Sequence, residues 1–233
     1  MGFLKNLKLA TSFILFLLFI TGCGSDANTG RNDRNTNFRF INSVSDVDSV
    51  DLYLDNKEYQ TNVGFLESTG YSEETTGGHN LQVLISGTAT RLVDTDTSFS
   101  DIRDQTLLVF GKKTTPSFLI LRDDNEPSSD ETAKIRVIHA SSNNRRVDAY
   151  ILRAGTSINS EQPSIDGFTF KQVSTYIALP KGTYDLTVTP ENSKSVAAQS
   201  LNISLDGESV YTILVSDAAG GGQPPRIVVF KDF

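Results

Sequence analysis

The side chains able to do chemistry are few. Among 233 residues there are two histidines, His79 and His139, and one cysteine, Cys23. A serine hydrolase needs a base held beside a nucleophile on a tight elbow, and no Gly-x-Ser-x-Gly occurs. Zinc sites gather His and Cys, and two His with one Cys make no such cluster. No phosphate-cradling Gly-x-x-x-x-Gly-Lys appears either. Acids are plentiful, at 28 Asp plus Glu, so hydrolysis by paired carboxylates is the catalytic chemistry left open, as the lesser alternative. A second alternative is calcium. Asp123, Asp124, Asn125 and Glu126 bring hard oxygen ligands together, without the twelve-residue EF-hand spacing, where an ion would stiffen the joint between two domains. The main expectation is no enzyme, no resident metal and no catalytic residue.

Asp51 and Asp148 are the most tempting acids, because a repeat preserves both. Arg39 to Tyr53 is echoed without a gap by Arg136 to Tyr150: Arg39 falls on Arg136, Ile41 on Ile138, Val50 on Val147, Asp51 on Asp148 and Tyr53 on Tyr150. Each Asp either binds a ligand or accepts backbone N–H groups from a turn, and the second role is the commoner one for Asp. His139 has Asn42 as its counterpart, which suits a hydrogen-bonding position rather than a base. Asp51, Tyr53, His139, Asp148 and Tyr150 are therefore expected to be structural. His79 lies in a Gly-rich turn with no second ligand near it in sequence.

The elements that hold these residues read as strands. From Phe38 onward, short runs rich in aromatic and β-branched residues alternate with turn residues, and no 3.6-residue period is sustained. The first repeat predicts strands near 37–43, 50–54, 70–76, 80–86, 106–111 and 117–121. The second predicts 134–140, 147–152, 173–179, 183–189, 197–205, 209–216 and 226–231. Val50, Leu52 and Leu54 alternate with Asp51 and Tyr53, the period of a strand with one buried face. Asp55-Asn56 suits a turn, Pro180-Lys181-Gly182 a type I turn, and Asp206-Gly207 a tight hairpin. Later echoes pair Tyr71 with Tyr176, Gly77 with Gly182 and Pro116 with Pro225. Six or seven short strands in each half predict an all-β protein of two tandem antiparallel sandwiches, immunoglobulin-like or transthyretin-like.

The second repeat resembles the bacterial domain-of-unknown-function family 4397. The shared pattern is Arg136-Val137-Ile138-His139-Ala140-Ser141, then Val147-Asp148-Ala149-Tyr150, Tyr176, Leu179-Pro180-Lys181-Gly182-Thr183-Tyr184 and Tyr211-Thr212. It covers residues 134–230, and the first repeat is a diverged copy. The resemblance implies a fold plan and no reaction.

At the N-terminus, Lys5 and Lys8 precede an apolar run, Leu9 to Ile20, that is too short to span a bilayer and so predicts a signal peptide. Ile20-Thr21-Gly22-Cys23 resembles the bacterial lipobox, which implies a diacylglycerol and an acyl chain such as palmitate on Cys23. A lone cysteine also has no intrachain disulfide partner. Gly24 after the cysteine resembles outer-membrane rather than inner-membrane lipoproteins. The expected order is a signal peptide (1–22), a lipidated cysteine and flexible polar tether (23–37), repeat one (38–121), an acidic linker (122–132) and repeat two (133–233). Loss of Lys5 and Lys8 takes the formal charge from −7 to −9, a balance that argues against nucleic acid as a partner. The expected partners are the membrane, through the anchor, and an envelope protein or glycan. Oligomeric state is not written in the sequence.

Overall fold

The computed structural model describes residues 35–100, 104–126, 129–144 and 146–233. The lipobox residues Ile20 to Cys23 and the start of the tether lie outside them. Strand after strand, the two halves use one plan. The first contains β1 (Asn35–Val44), β2 (Ser49–Leu54), β3 (Lys57–Gly64), β4 (Ser72–Thr75), β5 (Gly77–Ile85), β6 (Arg91–Phe99), β7 (Asp104–Lys112) and β8 (Thr115–Arg122). The second contains β9 (Thr132–Ala140), β10 (Arg146–Arg153), β11 (Ile165–Thr169), β12 (Ile177–Pro180), β13 (Gly182–Pro190), β14 (Ala198–Leu205), β15 (Val210–Ala218) and β16 (Gly222–Lys231).

Four sheets result. The orders β4-β1-β7-β8 and β3-β2-β5-β6 make the first sandwich, and β12-β9-β15-β16 and β11-β10-β13-β14 make the second in the matching order. Most pairs are antiparallel, but β1 runs parallel to β7 and β9 parallel to β15. Each sandwich has its own core: Phe38, Phe40, Leu52, Leu81, Leu107 and Val109 lie in the first, and Ile135, Val137, Leu186, Phe168 and Ile213 in the second. A third core lies between them, where Ile41, Leu108 and Phe110 meet Ile138, Ala140 and Leu214. The β4-β1-β7-β8 and β12-β9-β15-β16 sheets are thus inner sheets, whose central strands β1, β7, β9 and β15 are buried on both faces, and the other two are outer sheets.

That double burial explains the sequence of the central strands. Leu107-Leu108-Val109-Phe110 and Ile213-Leu214-Val215 are unbroken apolar runs, because alternate side chains enter different cores. It also explains what the sequence hides. Strands β3, β6 and β11 were not among the predicted elements: each is a sheet edge, and along β3 only Val63 is fully buried. An edge strand half in water needs few apolar residues.

The turns divide. Asp55 and Asn56 have φ of 51° and 61°, the left-handed pair that a two-residue hairpin turn requires. Gly77 and Gly182, at φ 118° and 142°, mark equivalent points where the chain leaves an inner sheet for an outer one. Asp206-Gly207 is not a hairpin turn. β14 pairs with β13 and β15 with β9 and β16, so residues 206–209 cross from outer to inner sheet. Gly207 is needed there because a Cβ would run into the carbonyl of Asp130.

Candidate functional site

A buried set of charged side chains lies at the seam between the inner sheets. Arg39 on β1 and Arg136 on β9 both project into it, and both are buried. Each reaches the acid that closes the other repeat: Arg39 Nη1 lies 2.7 Å from Asp232 Oδ1, and Arg136 Nη2 lies 2.6 Å from Asp123 Oδ1. Matching threonines complete the ring. Thr106 donates to Asp123 at 2.6 Å and Thr212 to Asp232 at 2.6 Å. Arg39 Nε donates to Thr106, and the Nη2 groups of both arginines donate to Thr212. Tyr71 and Tyr176 cover the guanidinium groups, each ring 5.1 Å from its arginine.

The electrostatics fit a holding role. Burial works against the Arg39 charge, but Asp232, Tyr71 and Asp123 together outweigh burial, and the pKa is raised. Burial pushes the Asp232 carboxyl up while Arg39 pulls it back. Burial also pushes the Tyr71 phenol up, reinforced by Asp123, and the Tyr176 phenol up to about 12. Both phenols stay neutral, so Tyr71 donates to Asp123 at 2.7 Å. With partners on most of their polar atoms, these groups offset the cost of burying charge; removal of one partner would leave the other stranded.

The four acidic-stretch residues do not converge. Asp123 is 6% exposed and spent on Arg136, Thr106 and Tyr71. Asp124 pairs with Lys134 at 2.9 Å, Asn125 donates to Asp104, and Glu126 is exposed. No group of three His, Cys, Asp or Glu able to hold a metal occurs among the described residues.

Asp51 and Asp148 each accept a backbone N–H from the neighbouring edge strand. Asn62 N donates to Asp51 at 2.7 Å and Gly167 N to Asp148 at 2.9 Å. Asn62 and Gly167 have φ of 54° and 57°, and the ladder shifts register beside both, so each Asp pins a bulge. Tyr53 and Tyr150 part company. Tyr53 is half-exposed near Glu58, whereas Tyr150 is buried and accepts a 3.0 Å bond from Lys194, which also holds the carbonyls of Ile158 and Glu161.

His139 is fully buried, against Phe168, and its Nδ1 accepts the Ser141 backbone N–H at 3.3 Å. Its counterpart Asn42 accepts the Val44 N–H at 3.0 Å through Oδ1, the same task. Burial drives the His139 pKa down to about 4, so the ring is neutral. Ser141 and Asp217 lie nearby, but the Ser141 hydroxyl bonds Asp217 at 2.5 Å and not the histidine. These three are wired to close the 141–144 loop, whose Ser142 and Asn143 N–H groups also end on Asp217. His79 sits between Asp55 Oδ2 at 2.8 Å and the Thr75 carbonyl at 2.9 Å.

The seam was only partly visible in the sequence. Arg39, Arg136, Tyr71 and Tyr176 stood out as echoes, without a role. Asp123 stood out only as an oxygen ligand and Thr212 only as part of the shared family pattern, and Thr106 and Asp232 were missed. One signal was available: Leu121-Arg122-Asp123 and Phe230-Lys231-Asp232 both read apolar, cationic, Asp at the end of corresponding strands.

Two solved structures match most of the chain. A CBM26-family module, CBMbc of Eubacterium rectale Amy13K in complex with maltoheptaose, matches with a TM-score of 0.26 and 12% identity, over 84% of this chain and 96% of that one. A structure reported for α-glucan binding by a streptococcal virulence factor matches with a TM-score of 0.25 and 10% identity, over 84% and 97%. No curated protein matches the chain in sequence. The family model described as Domain of unknown function (DUF4397) matches residues 36–150 and 156–233, across both repeats, and the chain belongs to that family.

Proposed function

We propose that this protein is a lipid-anchored component of the bacterial cell envelope, held in the outer membrane through Cys23, whose two fused sandwiches act as one rigid, non-catalytic binding or structural module. The observation that carries the non-catalytic part is the wiring of the seam: the buried Arg, Asp, Thr and Tyr side chains pair with one another across the repeats, including Arg39, Tyr71 and Asp232, which also line a cleft with residues 68–70 and 229–231. The lipobox pattern Ile20-Thr21-Gly22-Cys23 supports the anchor. The partner is an envelope protein or a glycan, engaged without chemistry.

Two measurements test this proposal. Cells fed labelled palmitate should label the protein and retain it in the outer-membrane fraction, and Cys23→Ser should abolish both. Label or retention unchanged in the variant would overturn the anchor. Crosslinking on intact cells should then give a dominant partner that depends on Cys23, whereas conversion of any captured glycan or peptide to smaller products would overturn the non-catalytic reading.

A further inference from the structure

Tyr53 and Tyr150 hold matching places on the outer sheets, and only Tyr150 has an occupant. The Lys194 ammonium sits over the Tyr150 ring, 4.5 Å from its centroid. It donates to the Tyr150 hydroxyl at 3.0 Å and to the carbonyls of Ile158 and Glu161 at 2.7 and 2.6 Å, which uses all the donors an ammonium has. This clasp is built from residues 154–164, between β10 and β11, and 191–197, between β13 and β14. The first repeat lacks both segments. There β2 joins β3 through Asp55-Asn56 alone, and residues 86–90, between β5 and β6, read Ser-Gly-Thr-Ala-Thr, without a cation. Tyr53 is accordingly half-exposed, and among the described residues no cation stacks on its ring.

The surroundings of the open ring are acidic. Strand pairing aligns Glu58, Tyr53, Gln82 and Asp94 in one row across β3, β2, β5 and β6, and Asn80 with Asp96 in the next row toward the hairpin. These side chains alternate with Leu52, Leu54, Leu81 and Val83, which enter the core, so the row faces away from it. Glu58 lies beside the Tyr53 hydroxyl, and Glu58, Asp94 and Asp96 are exposed. Asp51, on the same face, is engaged by the Asn62 N–H and the Ser86 hydroxyl. Of the cations nearby, Arg91 is tied to Asp94 at 2.8 Å, and Lys57 stands at the hairpin by Asp55. Glu58 and Asp96 pair with no Lys or Arg among the described residues.

We infer that this face of the first repeat docks a lysine-bearing polypeptide segment of a partner protein, whose ammonium takes over Tyr53 the place that Lys194 takes over Tyr150. The ring supplies the cation–π surface, and Glu58, Asp94 and Asp96 supply the complementary charge. The inference deepens the protein branch of the binding reading above and does not depend on the lipid anchor. A polypeptide fits better than an amino-sugar polymer, because the occupant of the sister site is itself a polypeptide. The row also ends at β3 and β6, edge strands whose outer backbone groups an extended segment can pair. Four strands at this spacing span about 14 Å, the footprint of one segment rather than of a domain, so the contact belongs to the weak, transient class.

The test uses the mature chain with Cys23→Ser and, as the probe, a fluorescent peptide of alternating Lys and Thr, which sets its lysines on one face when extended. The same peptide with acetylated lysines and a glucosamine oligomer stand beside it. The lysine peptide should bind, weaken as salt rises, and shift backbone amide signals at 51–58, 80–84 and 94–96; the acetylated peptide should not bind. Tyr53→Leu should weaken binding about threefold or more, and Tyr53→Phe, which keeps the ring, less than about twofold. Glu58→Gln/Asp94→Asn/Asp96→Asn should weaken it about tenfold, and Glu126→Gln/Asp130→Asn, which lowers charge elsewhere, less than about twofold. Urea midpoints within the experimental spread would show that the variants remain folded. Absence of binding, shifts centred elsewhere, equal loss with the Glu126 and Asp130 pair, or equal binding of the glucosamine oligomer would each overturn the inference. Shortening of the peptide during incubation would instead overturn the non-catalytic reading, so the two failures are distinguishable.

Discussion

Arg39 and Arg136 occupy matching positions in the two repeats, and so do Tyr53 and Tyr150, yet only the first pair has matching surroundings. Each arginine lies against a tyrosine, bonds Thr212 and reaches the closing aspartate of the other repeat. Tyr53 remains half-exposed, while Tyr150 lies under the loop that Lys194 secures. The seam is shared property: a change in one repeat must be answered in the other, so both copies keep the same residues. The outer faces answer to no partner repeat and have drifted, one by a two-residue turn between β2 and β3, the other by a long loop between β10 and β11.

The sharpest way to break this comparison is to strand one arginine. Asp123→Ala and Asp232→Ala should each destabilise the protein by about 3–5 kcal/mol in urea unfolding, since each leaves a buried guanidinium unpaired. Asp123→Ala should be the worse, because Tyr71 also loses its acceptor. If either cost under about 1 kcal/mol, the reciprocal pairs would not be what joins the halves.

His139 and Asn42 give the next test. The folded His139 pKa of about 4 lies below its ordinary 6.5, so the unfolded chain binds a proton that the folded one refuses. Stability is then full above pH 6.5 and falls as pH drops toward 4, by up to about 3 kcal/mol. His139→Asn, which installs the sister repeat's residue and keeps an acceptor for Ser141 N–H, should flatten that acid limb. An unchanged profile would assign acid sensitivity elsewhere.

A smaller effect separates the outer sheets. Asp148→Ala should cost about 1–3 kcal/mol, because the part-buried N–H groups of Gly167 and Asn192 both lose their buried acceptor. Asp51→Ala should cost less, since Asp51 is only partly buried and water can replace it. Equal costs would mean that the covering loop of the second repeat does not dry its sheet.

How much of this was legible follows from what each residue faces. The repeat, the all-β character and the Asp55-Asn56 turn are local patterns and could be read directly. The seam could not, because burial of a strand's second face has no local mark: an arginine within Phe38 to Ile41 looks like an exposed alternation partner until another sheet covers it. Asp123 misled for a related reason. It stands in a polar run, and only its match with Asp232 at the end of the corresponding strand tells that it points inward. Edge strands β3, β6 and β11 were lost for the opposite cause, too few apolar residues to register.

The most direct measurement of the central claim is calorimetric unfolding of the mature chain. Three cores that share two inner sheets should melt as one cooperative unit, with calorimetric and van't Hoff enthalpies in agreement. Asp123→Ala/Asp232→Ala should split that transition in two. Two separate transitions in the unaltered protein would contradict the account, for they would mean that the repeats are tethered neighbours and not a single body.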